Sequence, residues 1–537
     1  MRERALVFPL IGLVLLVTAS RLDIATDEQP FLTADRCIAC HKGVTTSTGT
    51  DVSIGLDWRA SMMANSARDP YWHAAVRREV MDHPNEAAAI ENECSRCHMP
   101  MANEVEKRSG RTMSVFANVP HAADPSPTAP LAVDGVSCAA CHQIQQEGLG
   151  DEQSFVGGFQ IASEGPPAGR SIFGPFEPDE GGVGIMRSAT GYRPVEGRHV
   201  QTSELCATCH TLLTHAIGAD GAEGEEFPEQ VPYQEWQASA YAREEQSCQS
   251  CHMPTVDEHV PVTSVLGQPR EGVSRHVFRG GNFFMLEMLG RYRDELGVTA
   301  LPQELQLAVA RTKEHLRTST ALIEIVPQNI DAGTLAFDVG VRNLAGHKFP
   351  TAYPSRRAWL HVVVRDAQGE TVFESGGFRA DGGIVGNDND RDATSYEPHY
   401  ERIDSPEQVQ IYEAIMVDGE NAVTTGLLQA ERWIKDNRLT PRGFEPGTAE
   451  ARIAVRGQAA TDPTFESGVD RVRYEVAVSG EAPYSVSAAL WFQPIAYRWA
   501  LNLAEYEAFE TDRFVRYYRE MSSASAMPLV RAEIQVR

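Results

Sequence analysis

The sequence predicts a two-part protein: a mostly irregular first half with short helices, then a mainly-β half resembling an immunoglobulin-like sandwich with a late helix. Three observations predict it. All ten cysteines lie between Cys37 and Cys251. Residues 145–200, rich in Gly and Pro (VGGFQ, EGPPAGRS, FGPFEPDEGGVG), give little helical or strand periodicity and read as a long loop. From about residue 320 the pattern turns to β-branched residues in partial alternation, with turn residues between.

The cysteines explain why the first half can be irregular. They form five copies of one pattern: CIACH (Cys37, Cys40, His41), CSRCH (Cys94, Cys97, His98), CAACH (Cys138, Cys141, His142), CATCH (Cys206, Cys209, His210) and CQSCH (Cys248, Cys251, His252). C-x-x-C-H is the attachment sequence of a c-type haem. Two thiols one helical turn apart form thioethers with the porphyrin vinyl groups, and the next residue lies under the iron as its proximal ligand. Zinc ribbons also pair CxxC units, and a disulfide framework uses paired cysteines, but neither calls for a histidine after every pair. With 16 histidines in 537 residues, five such coincidences are beyond chance. The first half is therefore expected to be a multihaem cytochrome c domain holding five covalent haems c, its short helices packed on porphyrins.

Local elements follow from spacing. Residues 69–83 and 231–246 carry helix-compatible apolar spacing, as do 283–296 and 302–319 after the last motif. CHMP occurs twice, at His98–Pro100 and His252–Pro254, and the proline is expected to stop the helix once the histidine is placed. Strands are expected at ALIEIVP, GTLAFDVGVRN, AWLHVVVRDAQG, ETVFESG, ARIAVRG, VRYEVAV and YSVSAALWFQ, then a helix over 497–520 and a last strand over 528–536.

The amino terminus has Arg2 and Arg4, an apolar run from Ala5 to Ala19, then small and polar residues. That is the three-part form of a secretory signal. The run is about 15 residues, short of the ~20 a bilayer span needs. The division expected is a signal peptide over 1–22, a pentahaem domain over 23–319 with its trailing helices, and a β-rich domain over 320–537. Placement is then periplasmic or extracellular, with no stable membrane span after cleavage. The formal charge of −26, from 74 acidic and 48 basic residues, argues against nucleic acid and anionic membranes as partners. It suits redox donor and acceptor proteins that are basic or weakly charged, and an oligomer is compatible with it.

Each iron with a proximal histidine has one further axial position, and its occupant decides between carrier and catalyst. The candidate distal ligands are His199, His276, His347, His215, His121 and His73. His276 lies in GVSRHVFRGGNFF and His347 in GVRNLAGHKFPTAYP, where neighbouring glycines let backbone approach a flat ring. His199 precedes the fourth motif, and His215 follows it from a position suited to a neighbouring haem. Met62 and Met63 could supply a thioether, which would raise that centre's potential. Separately, GNDNDRDATSYEPHYE puts Asp388, Asp390 and Asp392 at alternate positions, a calcium-loop spacing, although Ala393 stands where an EF-hand has glycine. A solvated acidic loop is the plainer expectation there; Ca2+ is the alternative.

Residues 37–280 resemble the exported multihaem cytochromes c, the group that includes the tetrahaem cytochrome of nitrifying bacteria, pentahaem nitrite reductase and octahaem hydroxylamine oxidoreductase. GHKFPT, WLHVVVRDAQG and KDNRLTPRGF resemble β-domains appended to some multihaem cytochromes. The resemblance implies electron transfer outside the cytoplasmic membrane. Pentahaem nitrite reductases carry CxxCK at one catalytic motif, whereas all five motifs here end in histidine, so it implies relay and no catalytic residues. Two alternatives stay open: a reductase or oxidase of a small nitrogen or sulfur oxyanion at one haem with an open axial site, and a subunit of an extracellular cytochrome filament.

Overall fold

The computed structural model describes residues 30–162, 169–218, 221–331, 333–479 and 482–537. The expected signal peptide lies outside them.

In the first half, short helices follow local capping. Pro70–Asp82 starts where the Asp69 side chain accepts hydrogen bonds from the Tyr71 and Trp72 amides, with Pro70 at the first helical position. The expected helix over 231–246 is two, Pro232–Gln237 and Ala240–Arg243. The break falls at Ser239, whose hydroxyl caps the second by accepting from the Tyr241 and Ala242 amides. Pro100 ends the helix Ala87–His98 and also opens another, Pro100–Arg108, at its first position. The stretch 145–200 is less loop-like than its composition suggests. It holds the helix Glu180–Thr190, closed by Gly191 at φ 76°, and a parallel pair of strands, Arg170–Gly174 and Tyr192–Glu196.

The second half is built on two sheets. One runs Thr371–Ser375, Arg357–Arg365, Tyr484–Gln493, Met527–Val536, with Ile411–Tyr412 also paired to Arg357–Arg365. The other runs Arg402–Ile403, Val469–Ala477, Thr334–Asn343, Ala321–Asp331. Phe373 of the first sheet meets Tyr474 of the second edge-on at 6.3 Å, so the inner faces share a core. A third sheet, Val423–Thr424, Ala414–Val417, Arg432–Asp436, was not expected from the sequence. Conversely ARIAVRG forms no strand: Ala451–Ile453 is a short 3-10 turn.

One core crosses the expected boundary at residue 320. Phe283–Arg291 buries Phe283, Phe284, Met285, Leu286, Met288 and Leu289, and it packs beside Pro302–Ser319. The same apolar cluster continues through Leu335, Phe337, Leu360, Val486 and Leu490 of the sheets to Phe514 and Tyr518 of the helix Phe509–Met521. Phe283 touches Phe492 at 6.4 Å, and Phe284 meets Tyr518 at 5.9 Å. Ion pairs join distant segments as well: Arg77 reaches Glu510 by two hydrogen bonds, and Asp57 sits between Arg275 and Arg311.

Phe283→Ala should therefore destabilise both halves together, by about 3–5 kcal/mol as a buried aromatic truncation. Chemical denaturation followed by haem absorbance and by far-UV dichroism should show the same displaced midpoint with both probes. A shift in one probe alone would mean that the halves do not share this core.

Candidate haem-binding site

Each motif is one helical turn. His41, His142 and His210 amides donate to the carbonyls of Cys37, Cys138 and Cys206, at 3.0, 3.0 and 2.9 Å, while His98 and His252 end helices that contain their cysteines. A four-residue backbone bond across C-x-x-C-H brings both thiols and the imidazole to one side of the turn. All ten cysteines are free thiols, so none is committed to a disulfide.

Proximal rings are oriented from behind. His41 Nδ1–H donates to the Val262 carbonyl at 2.7 Å, His142 to Phe173 at 2.5 Å, His252 to Arg279 at 2.5 Å and His98, more weakly, to Ser66 at 3.3 Å. Such a bond fixes the tautomer and leaves Nε2 as the lone-pair donor for a metal. His98 also lies flat on Trp72, with centroids 4.3 Å apart and planes 1° from parallel. Burial pushes His98, His210 and His252 down to about 4 and lowers His142, so all four are neutral at physiological pH, the state a metal requires.

The motifs are packed together. The thiols of Cys37 and Cys138 are hydrogen-bond neighbours, as are Cys97 and Cys209, and Cys206 and Cys248. Cys141 lies in electrostatic range of Cys209. The first motif thus adjoins the third, the third adjoins the fourth, and the fourth touches both the second and the fifth.

Of the candidate distal ligands, two stand opposite proximal histidines. Two imidazoles across one iron have centroids ~6.3 Å apart, from metal–nitrogen distances near 2.0–2.1 Å and the size of the ring. His142 and His276 are 6.2 Å apart with planes 19° from parallel, and His252 and His347 are 6.2 Å apart at 16°. Both candidates repeat the proximal pattern, His276 Nδ1 donating to Ser274 and His347 Nδ1 to Lys348, at 3.1 and 2.8 Å. His199 is buried, with Nε2 donating to Ile144 at 2.9 Å and Nδ1 without a partner. His215 is exposed on the strand Leu212–Ile217, where Nδ1 donates to Gly224.

The remaining candidates are placed elsewhere. His73 is spent on protein: Nε2 donates to Ala67 at 3.0 Å and Nδ1 accepts from Arg513 at 2.8 Å, so neither nitrogen is left for a metal. His121 is exposed in a left-handed turn, φ 63°, beside Gly297. Met62 packs against the main core, and the Met63 carbonyl accepts from the Val136 amide. In the loop with calcium-like spacing, the three aspartates are already partnered within the protein. Asp390 is buried and holds Arg357 by two bonds of 2.7 and 3.0 Å, Asp388 pairs with Arg391, and Asp392 accepts from the Thr394 amide and hydroxyl.

Sequence reasoning missed the apparatus that holds His347. Lys348, next in the chain, donates to Asp436 at 2.6 Å; Asp436 takes Arg438 by two bonds of 2.8 and 2.7 Å; and Arg438 reaches Glu235 at 2.9 Å. Glu235 closes the ring by accepting from the Lys348 amide and the Thr351 hydroxyl. These four charges are buried, Lys348 and Glu235 completely. Glu235 comes from the haem half, in Pro232–Gln237, whereas the other three belong to the GHKFPT and KDNRLT stretches. Also missed were Arg356 and Arg279. Arg356 lies in range of His210, His252 and His347, and burial lowers it to about 10. Among the described residues neither arginine has a carboxylate within ion-pair distance, which suits the propionates of haem.

No protein-family profile and no curated protein matches this chain. Among solved structures it is similar to a penta-heme cytochrome c552 from Thermochromatium tepidum, at 14% identity and a TM-score of 0.52, over 95% of this chain and 100% of that one. The fold is that of a multihaem cytochrome c. The likeness covers the β-rich half as well as the first half. Thiols, neutral imidazoles and unpaired arginines together fit haem c. No helix among the described residues is long and apolar enough to cross a membrane.

Arg438→Met should cost about 3–5 kcal/mol, because it leaves Glu235 and part of Asp436 as uncompensated buried charge. Burial works to raise Asp436, but Arg438 and Lys348 outweigh it and hold the carboxyl at about 2, below its usual 3.8. A depressed folded value means stabilisation that is complete above the unfolded value and lost as pH falls from 3.8 through 2. Unfolding free energy measured from pH 5 down to pH 2 should therefore decline less steeply in Asp436→Asn than in the parent. Identical slopes would show that the cluster does not govern the acid limb.

Proposed function

We propose that this protein carries five covalent haems c and conducts electrons between partner proteins outside the cytoplasmic membrane. The observation that carries the reading is the chain of neighbours that links all five C-x-x-C-H motifs, each with a neutral, buried or backbone-anchored histidine beside its thiols. Haem, once attached, supplies a one-electron couple at each site. The chain's contribution is to hold the sites close, shield them and orient the axial imidazoles. The thiol contacts support a route from the first motif through the third and fourth to the fifth, with the second as a branch at the fourth.

Histidines at axial distance from His142 and His252 support a carrier over an enzyme, because a protein ligand on those two irons leaves them no open face. The charged and apolar amino terminus and the site of haem c attachment support export. The net charge of −26 supports basic or weakly charged redox partners.

Pyridine haemochrome analysis of the purified protein should give five haems per chain. EPR with near-infrared magnetic circular dichroism on the oxidised form should find every haem low-spin with two protein ligands. A high-spin haem whose spectrum moves on adding nitrite, hydroxylamine or sulfite would overturn the relay and make that iron a catalytic site.

A further inference from the structure

We infer that His315 is the sixth ligand opposite His252 and that His347 serves the iron of His210, an assignment that rests on the five-haem reading above. His315 lies on the helix Pro302–Ser319, one residue before the buried Leu316. Its ring centroid is 6.2 Å from that of His252, the same separation His347 has, with the planes 68° apart instead of 16°. One iron accepts one ligand opposite its proximal histidine. Either His315 or His347 must therefore act elsewhere or not at all.

The neighbours of the two rings decide which. His347 lies in range of His210 as well as His252, so a second iron is open to it. Among iron-binding histidines of the motifs, His315 has His252 alone as a neighbour. Giving His315 to His252 and His347 to His210 supplies both irons; the opposite choice leaves His315 idle and His210 without either.

The hydrogen bonding of His315 agrees. Its Nδ1 is buried with no partner, and no other hydrogen bond to this ring occurs among the described residues. A histidine kept for packing or structure satisfies its nitrogens, as His73 does with Ala67 and Arg513. The buried Nδ1 of this half-buried ring has been desolvated with nothing in return, unless a ligand bond provides it.

The other end of the motif cluster repeats the arrangement. His142 faces His276 in near-parallel register, His276 is also in range of His41, and His199, with its buried and unpartnered Nδ1, neighbours His142. In both blocks the two motifs touch through their first cysteines, Cys37 with Cys138 and Cys206 with Cys248.

The test uses the full-length protein matured with its haems, beside His315→Ala, His347→Ala and the double variant. Haem content is read by pyridine haemochrome and spin state by EPR with near-infrared magnetic circular dichroism. Each single variant should convert one haem to high spin, and the double variant two. If His315→Ala leaves every haem low-spin and the double variant converts only one, the assignment is overturned. His315→Met covers the case in which alanine at 315 prevents folding: it should bring in a methionine–iron charge-transfer band for one haem, and its absence in a fully haem-loaded variant overturns the assignment too. A parent protein with fewer than five haems would instead overturn the five-haem reading itself, whatever the variants show.

Discussion

The structure depends on a ring of four buried charges. Lys348, Asp436, Arg438 and Glu235 close on one another with both carboxylates and both cations in contact, and the peptide that carries Lys348 also carries His347. Burying ions is expensive unless each is met by an opposite charge and its remaining hydrogen-bond capacity is used. Here that condition is satisfied across the two halves of the chain, since Glu235 lies between the fourth and fifth motifs and its partners lie in the β-rich half. An apolar patch of the same size could hold the two surfaces together with some freedom to slide. A closed set of directional ion pairs has one register, and that register sets His347 beside His252 and His210.

The histidines follow a common rule on a smaller scale. His41, His142, His252, His276 and His347 each give Nδ1–H to a backbone carbonyl, so the lone pair on Nε2 is presented from a ring that cannot swing. Burial then lowers His142, His252, His276 and His347 and keeps them neutral, with His276 at about 3 and His252 at about 4. Desolvation alone would make a neutral imidazole a passive core residue. Combined with the anchored Nδ1, it makes a ligand that is already deprotonated and already aimed. His73 has the burial without the free nitrogen, and Arg513 makes the difference.

How much of this was legible in the sequence varies by kind of signal. The attachment motifs were plain, because two thiols and a histidine at fixed spacing are a local requirement. So were the long strands Thr334–Asn343 and Tyr484–Gln493 and the helix Pro302–Ser319, where periodicity runs over many residues. The Gly- and Pro-rich stretch hid a helix and a strand pair, because Glu180–Thr190 carries three glycines and buries no residue. ARIAVRG read as a strand from composition, yet it sits outside any ladder except the single bridge of Arg456 to Asp436. The ion ring was not legible at all: its members come from three stretches spanning about two hundred residues and look individually like surface charges. His315 was visible only as one more histidine on an amphipathic helix, with neighbours that only the fold supplies.

The second half shares one apolar core with the first. The first half has an apolar cluster of its own around Trp72, Met99 and Leu131, yet the largest apolar cluster begins in that half, at Ala60 and Tyr71, and ends at Val536. The helices Phe283–Arg291 and Pro302–Ser319 carry that core between the halves, and the second of them carries His315. Axial ligation, core packing and buried ion pairing are thus three constraints on one set of elements. A change in the sheets that moves Phe492 or Tyr518 acts on Phe283 and Phe284, and through them on the helix pair that positions a haem-facing histidine. On the proposed five-haem reading, coordination would depend on the whole core, and the haem spectrum should report on residues far from any iron.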